Sequence, residues 1–536
     1  MEGCNLKGTT SFFKPEIIWV ALSALSMALI LAMMLGMGLL IFANSFSALW
    51  PNRVEAVTLS DGTTTTGIFI ASDTAADGTR RLQYKVANRD LNGGADFVWL
   101  DEKDITEKSY PENAVVVGRM ENGDFIGNFL GDTNLDAMLS DYRKRWRDEG
   151  KPLLAQLSLL GDNWQQANLA VLSRRYELTH AAHANAAEAE RRLRTAEEEE
   201  LRIKKQSEDI LQHYTAVKDR FQEQKATFAA ADGRVIELPL SSIVSVVYPN
   251  ALALPGKLWQ FVVNVWNLIA QYPREANTEG GLFPAIFGTV VMVFIMAISA
   301  FPLGVAAGVY LREYAKDNIL SRTARIAVNN LAAVPSIVYG IFGLGFFVYG
   351  LGGTIDQLLY PERVAAGITT FGGGGILWSS LTLGLLTLPV VIVATEEALA
   401  TIPSEIRQGS LALGATRFQT LCRVLLPMAS PVILTGFILA MARAAGEVAP
   451  LMLTGVVKSA HSLPLDGAWP FVHLERKFMH LGFHIYDMGF QSPNVEASKP
   501  LVYLTALVLL VLVFALNFTA IRLRKRLHEK YAMKGF

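Results

Sequence analysis

Arg443 and Glu447 stand four residues apart in MARAAGEVAPLMLTG (441–455), a segment that carries no other charge. An arginine at the centre of a bilayer costs about 2.5–3.5 kcal/mol on insertion scales, so such residues face a bundle interior or a wet cavity. On a helix, positions i and i+4 share a face and can pair. A guanidinium can hold an oxyanion through two parallel N–H donors. A carboxylate beside it compensates the cation while no anion is bound and discourages tight capture, since a conducting site must release what it binds. The alternative is a buried ion pair that fixes the packing of the spans, whose rupture leaves an unpaired charge at a cost of about 3–5 kcal/mol. Ser336 offers a hydroxyl to the same path, next to Pro335, which kinks a helix. Alternatively, that hydroxyl caps carbonyls freed by the bend. Asn329 and Asn330 are helix-end hydrogen-bonders or gate residues.

Other chemistry is scarce. Neither Gly150-Lys151 nor Gly256-Lys257 completes the G-x4-G-K-[ST] phosphate loop. Cys4 and Cys422 both fall on the predicted cytoplasmic side, which argues against a structural disulfide. His461, His473, His480 and His484 match no zinc spacing and read as surface residues of an outer loop. No nucleophile–base set stands out, so an energy source would have to come from another subunit.

The elements that hold these residues are membrane spans. The chain has 536 residues, 51% of them hydrophobic and 18% charged, with the apolar residues clustered. A span needs about 20 apolar residues, and six runs qualify: Ile17–Ala43, Phe283–Leu311, Ile326–Leu351, Ile376–Ala394, Pro431–Gly455 and Leu501–Ile521. Lys7 and Lys14 precede the first, and Arg522, Arg524, Lys525 and Arg526 follow the last. The loop 312–325 and the loop with Arg407, Arg417 and Arg423 are also basic. The positive-inside rule places all four in the cytoplasm, consistent with six alternating spans. The first span is too long for a signal-peptide core and reads as an uncleaved anchor. A net charge of -1 argues against a nucleic-acid partner.

Residues 50–256 fall outside the cell. VEAVTLSDGTTTTGIFIAS has an Asp61-Gly62 turn between strand-like runs. RLQYKVANRD and NAVVVGRMENGDFIGNFLG continue that pattern, and 227–249 returns to it with Asp232-Gly233. A small β domain is thus interrupted and completed. From about Leu153 to Lys225 the interruption is helical, with Ile203, Ile210 and Val217 every seven residues and Tyr214, Phe221 and Phe228 in the same period. EAERRLRTAEEEELRIKK (188–205) reads as a solvated face or the tip of an antiparallel hairpin. Leu258–Ala270 is too short to span and suits an interfacial helix. PREANTEGG (273–281) and GGGG (372–375) read as loops.

Between the fourth and fifth spans, EEALATIPSEIRQGSLALGATRFQTLCRVLLP (396–427) predicts a short amphipathic helix lying on the membrane face. Such a helix offers Ile406, Leu411 and Leu413 to a groove on a partner. Gly414 permits the turn out of it, and Pro427 restarts the chain. The spacing Gly414 … Val424-Leu425-Leu426-Pro427 resembles the signature loop of ABC-importer permeases. In that family the loop is the coupling helix that docks on the ATPase. The resemblance assigns this role to Ile406, Arg407, Gln408, Gly409, Ser410, Leu411, Leu413, Gly414 and Pro427, with Gln408-Gly409-Ser410 replacing the family's Glu-Ala-Ala. NNLAAVPSIVYGIFG (329–343), ARAAGEVAPLMLTG (442–455) and PREANTEGG are similar to the phosphate-specific permease family PstA, with Val448 where its members have Thr.

The resemblance, covering about Pro273 to Arg526, implies an all-α polytopic membrane protein, a type I ABC importer permease with an inserted extracytoplasmic α+β domain. The expected organisation is a cytoplasmic N-terminus (1–16), a first transmembrane helix (17–49), the β plus coiled-coil domain (50–256) and an interfacial helix and loop (257–282). A permease core (283–524) with coupling loop 396–427 and a basic tail (525–536) follow. The implied partners are a homologous PstC-like permease, a PstB-like ATPase dimer carrying ATP and Mg, a PstS-like extracytoplasmic phosphate-binding protein, inorganic phosphate and the bilayer. The implied place is a bacterial inner membrane, with Arg443, Glu447 and Ser336 on the substrate path. Two alternatives stand beside this: a permease for another oxyanion, and a transducer with a sensory outer domain. The coupling-type loop and the intramembrane Arg–Glu pair favour transport.

Overall fold

The computed structural model describes residues 15–74, 78–91, 93–131, 134–180, 185–230, 233–274, 277, 279–460, 462–467, 469, 471–492 and 495–532. Cys4, Lys7, Lys14, Asp232 and His461 lie outside them. A first long helix, α1 (Pro15–Leu49), leads into a β region. Strands β1 (Val54–Leu59), β2 (Thr64–Thr74), β3 (Arg80–Lys85), β4 (Phe97–Asp101) and β5 (Ile105–Ser109) form an antiparallel sheet in the order β4-β3-β2-β1-β5. Asp61 makes the β1–β2 turn by accepting hydrogen bonds from the Thr63 amide and hydroxyl.

A second sheet holds β6 (Ala114–Arg119), β7 (Phe125–Phe129), β8 (Lys225–Ala229), β9 (Val235–Pro239) and β10 (Ile243–Val247) in the order β10-β6-β7-β8-β9. The helices α2 (Leu135–His180) and α3 (Ala186–Gln222) lie between β7 and β8 in sequence, yet Phe129 pairs with Phe228 across the two strands. Two sheets therefore form where the sequence suggested one small domain, and the helical interruption falls inside the second. It folds back on itself as an antiparallel pair: Glu149 meets Arg220, Asn168 meets Glu200 and Arg175 meets Glu197. The pair is rooted in the sheet by Leu135, Tyr142, Phe221, Phe125 and Phe228. Phe228 departs from the heptad expectation: the helix has ended at Gln222, and Phe228 packs as a strand residue against Phe125. The seven-residue period persists there because it keeps Phe228 on the same core.

The helix α4 (Leu254–Ala270) leaves Trp259 and Trp266 exposed and closes the end of α1, where Asn264 donates to the Leu49 carbonyl at 2.8 Å. The short strands β11 (Pro273–Arg274) and β12 (Glu279–Gly280) form a hairpin in place of the predicted loop. It meets the β region at a knot of charge. Lys85 donates to Asp124 at 2.6 Å, and Arg119 holds Asp90 through two bonds of 3.0 and 3.1 Å. Burial opposes charge on Lys85 and Asp124, but their attraction prevails, so Lys85 is raised and Asp124 lowered from their ordinary values. Glu279 joins this knot and is pushed up to about 7, by burial first and the Asp124 charge second.

The membrane part contains α5 (Phe283–Val309), α6 (Ile319–Leu331), α7 (Ser336–Phe342), α8 (Gly353–Leu359), α9 (Pro361–Ala365), α10 (Ile376–Ala400), α11 (Ser404–Ala412), α12 (Arg417–Thr420), α13 (Leu426–Gly446), α14 (Ala449–Thr454), α15 (Leu481–Tyr486) and α16 (Val495–Ala532). Wide turns join several of them, so that among the described residues six helices are long and apolar enough to cross a membrane. They are Trp19–Leu49, Phe283–Tyr314, Ser336–Leu359, Ile376–Ala400, Arg417–Gly446 and Ser498–Arg526. The core is built around α10, which packs Leu383 and Leu386 against Met292 and Met296 of α5 and Met441 and Ala444 of α13.

Candidate functional site

Two helix breaks face each other in this core. The expected kink at Pro335 is a full interruption: α6 stops at Leu331, and α7 starts at Ser336 with Pro335 extended as its N-cap (φ −56°, ψ 136°). Pro335 disfavours helical geometry in Val334 before it, which forces the chain out. Tyr339 spans the gap, its hydroxyl donating to the Leu331 carbonyl at 2.7 Å and satisfying a helix-end acceptor. The second break separates α13 from α14. The sequence predicted one helix through Arg443 and Glu447, but Glu447 lies past its end, extended at φ −79° and ψ 135°. Gly446 weakens the last turn, and Pro450 opens a new helix. α7 and α14 pack backbone to backbone, since a Cβ on Gly340 would lie 2.8 Å from the Pro450 Cα.

Arg443 and Glu447 remain together across that break. The Arg443 Nε lies 3.5 Å from Glu447 Oε1, an ion pair longer than a hydrogen bond. The arginine side chain is 41% exposed and the glutamate 22%. Among the described residues no hydrogen bond reaches the Arg443 guanidinium. Tyr339 lies one turn beyond Ser336 on α7. Ser336 is half-buried, and no hydrogen bond or ion pair joins it to Arg443 or Glu447.

The loop before the fifth span forms α11, then turns at Gly414, whose φ of +86° is a left-handed conformation that suits glycine. Thr416 and Gln419 cap the next helix reciprocally. Pro427 does not restart the chain: the helix runs unbroken from Arg417 to Gly446, and the wide turn Leu421–Leu425 just before Pro427 makes room for its ring. Ile406 also departs from expectation. It is half-buried and packs against the cluster that includes Val309, Leu399 and Leu425, where the apolar ends of α5, α10 and α13 meet. Arg407 pairs with Glu313 at 2.8 Å, and Ser410 shares a hydrogen bond with Thr420 at 2.9 Å. The residues left facing outward are Gln408, Gly409, Leu411, Leu413 and Gly414, with Leu413 91% exposed. Phe418, 67% exposed beside them, was not anticipated; a lone large aromatic among polar residues was its signal.

The histidines correct a further expectation. His473, His480 and His484 are buried, not on the surface. His480 Nδ1 accepts from the Gly482 amide at 3.1 Å and caps α15, while the Leu481 amide donates to Thr289 on α5 at 2.9 Å. Burial pushes His480 down to about 3. His484 is held near 4, by burial first, with the Asp487 charge opposing and Lys458 adding to it. Asp487 is itself buried, with Lys458 at 3.2 Å. The i, i+4 spacing of the two histidines in FMHLGFHIYDMGF, among apolar residues, was the overlooked sign of an inward face.

Residues 300–530 match the family described as binding-protein-dependent transport system inner membrane component. The probable ABC transporter permease protein YqgI of Bacillus subtilis is 33% identical over 225 residues, 41% of this chain and 70% of its own. The probable phosphate transport system permease protein PstA of Methanocaldococcus jannaschii is 32% identical over 249 residues, 46% of this chain and 76% of its own. The phosphate transport system permease protein PstA 1 of Mycobacterium tuberculosis is 36% identical over 187 residues, where the match spans 35% of this chain and 54% of that relative. The β region and the α2–α3 pair lie outside the family match. With six membrane-length helices and an amphipathic loop helix before the fifth, the chain belongs to the binding-protein-dependent transport system inner membrane component family, the permeases of ABC importers.

Proposed function

We propose that this chain is the membrane-spanning permease subunit of an ATP-driven importer of inorganic phosphate in a bacterial inner membrane. One observation carries the reading most: a guanidinium, Arg443, near the end of a membrane-length helix, with one loose carboxylate contact at 3.5 Å and no hydrogen bond among the described residues. Such a group retains its donors for a passing oxyanion. Glu447 would compensate the charge between passages, and Ser336 opens α7, which packs at Gly340 against Pro450, three residues beyond Glu447. Phosphate is favoured over other oxyanions by the names of the M. jannaschii and M. tuberculosis relatives. A homologous permease would complete the pore, an extracytoplasmic phosphate-binding protein would deliver substrate, and a separate ATPase dimer would hold ATP and Mg. Gln408, Gly409, Leu411, Leu413 and Gly414 would meet that ATPase, while Ile406, Arg407, Ser410 and Pro427 set the loop's shape.

The test is ATP-driven uptake of labelled phosphate into proteoliposomes holding the whole importer, with excess sulfate as competitor. Uptake that resists sulfate and falls about 10–100-fold in Arg443→Gln, with assembly intact, is expected for loss of a bidentate anion contact of about 1.5–3 kcal/mol. Sulfate uptake in place of phosphate would reassign the substrate. A charge-reversed R443E/E447R pair that transports at the wild-type rate would reduce the pair to a packing contact.

A further inference from the structure

At the ends of α5 and α10, two arginines are laced crosswise. The second span continues past Val309 through a wide turn, Tyr310–Tyr314, which carries Glu313. The fourth span carries Glu396 and Leu399 in its final turns. Arg325 on α6 donates from Nε to Glu396 on α10 at 2.6 Å and from Nη2 to the Leu311 carbonyl, beyond α5, at 2.8 Å. Arg407 on α11 does the converse. Its Nη2 meets Glu313, beyond α5, at 2.8 Å and donates to the Leu399 carbonyl on α10 at 2.8 Å. Each arginine thus takes a carboxylate from one span and a main-chain carbonyl from the other.

Physical chemistry explains why the ends need this. Carboxylates at the C-terminal end of a helix oppose its dipole, and the last carbonyls have no intrahelical donors. Arg325 answers both requirements with hydrogen bonds in a fixed planar geometry, which an ammonium does not, while Arg407 bonds the carbonyl and meets its carboxylate as an ion pair. All four side chains are at least partly buried, with 35% and 21% exposure for Arg325 and Glu396 and 24% and 15% for Arg407 and Glu313. Screening by solvent is correspondingly weak. Ile406, next to Arg407, packs against the cluster that holds Val309 and Leu399, which adds apolar burial to the same joint.

We infer that Arg325, Glu396, Arg407 and Glu313 form a clamp that makes α11 move as one body with the ends of the second and fourth spans. The four are positioning residues. They hold the loop helix so that a displacement imposed on its exposed Leu411–Leu413 side reaches α5 and α10 without loss, and reaches α7 through α6. The inference rests on reading the chain as a permease driven by a separate ATPase, but not on phosphate as the substrate.

Two readouts on the complete importer test it. The first is the distance between spin labels at Glu405, an exposed residue of α11, and Tyr314, with and without ATP. The clamp predicts one narrow distance in both states for the otherwise native complex, and a broadened distance that shifts with ATP in Arg407→Gln. The second is phosphate imported per ATP hydrolysed, expected to fall about tenfold in Arg407→Gln and Arg325→Gln, within the range of ordinary coupling free energies. Co-purification of the ATPase with each single variant separates loss of the clamp from a failure to assemble. A native distance that changes with ATP, or single variants with unchanged distance and ratio, would overturn the clamp. Absence of phosphate uptake with the predicted distances would instead refute the substrate and leave the clamp standing.

Discussion

At the residue scale, charge inside this protein is held in different ways. Arg443 is left loosely paired at 3.5 Å, whereas Arg325 is locked at 2.6 Å to Glu396. The looser one suits a transient ligand and the tighter one suits transmission. The buried histidines carry a separate consequence. Both are held neutral, with folded values of about 3 and 4 against about 6.5 in the unfolded chain. Between those limits the unfolded state binds more protons than the native one, so stability rises with pH there. Their contribution is full above pH about 6.5 and is lost as pH falls through about 4 and 3. Thermal melting of the detergent-solubilised chain should show this slope, and a His480→Asn/His484→Asn variant should flatten it. An unchanged slope in that variant would place the sensitivity elsewhere. The types of Arg443 and Glu447 were legible in the sequence because charge in an apolar run is conspicuous. The burial of His480 and His484 was less so, because a histidine is compatible with either side of a helix.

At the element scale, breaks do more than spans. At the α6–α7 interruption Tyr339 bonds back to Leu331, and beyond the α13–α14 interruption Pro450 lies against Gly340 of α7. Prolines in the sequence pointed to both places, but a proline marks a kink, a cap or a tolerated insertion alike, and Pro427 is the last of these. On the loop helix, periodicity gave an apolar face without saying which way it turned. Ile406 joined the chain's own core, and Leu413 and Phe418 were left outside. If that exposed pair is the docking surface, L413A/F418A should weaken binding to the ATPase by about 10–100-fold, as expected for truncating interface anchors worth 1–3 kcal/mol. Melting of the isolated chain should change little, because neither side chain is part of its core. Unweakened binding measured by pull-down titration would move the docking surface to another part of the loop.

For the whole molecule, the β region and the membrane part are joined through the β11–β12 hairpin. Asn277 donates to the Lys458 carbonyl at 2.8 Å, and Lys458 in turn pairs with Asp487 at 3.2 Å. On the other side, Glu279 enters the knot of Lys85, Asp124 and Arg119. Glu279 is raised to about 7 from an ordinary 4.5, so the native state binds the extra proton. Its contribution is most favourable below pH about 4.5 and declines as pH rises through 7, opposite in sign to the histidines. Glu279→Gln should make this joint insensitive to pH, read as hydrogen exchange of residues 279–282 between pH 5 and 8. Exchange that still rises with pH in the variant, after correction for intrinsic rates, would exclude Glu279 as its source.

The sequence by itself determined what depends on local pattern. Six apolar runs, basic loops, the Asp61-Gly62 turn, the heptad seam and the Gly414–Pro427 spacing are each set by residues near one another in the chain. Membrane partition, turn chemistry and helix periodicity act over that range. Tertiary structure decided what depends on competition between distant segments. β7 chose β8 across an inserted helical pair, Ile406 packed against the chain's own core, and Glu447 fell outside the helix that Arg443 occupies. The crosswise pairing of Arg325 and Arg407 required two span ends to meet, and each partner lies many residues away. Such choices are settled by packing free energy summed over contacts that no single stretch of sequence contains.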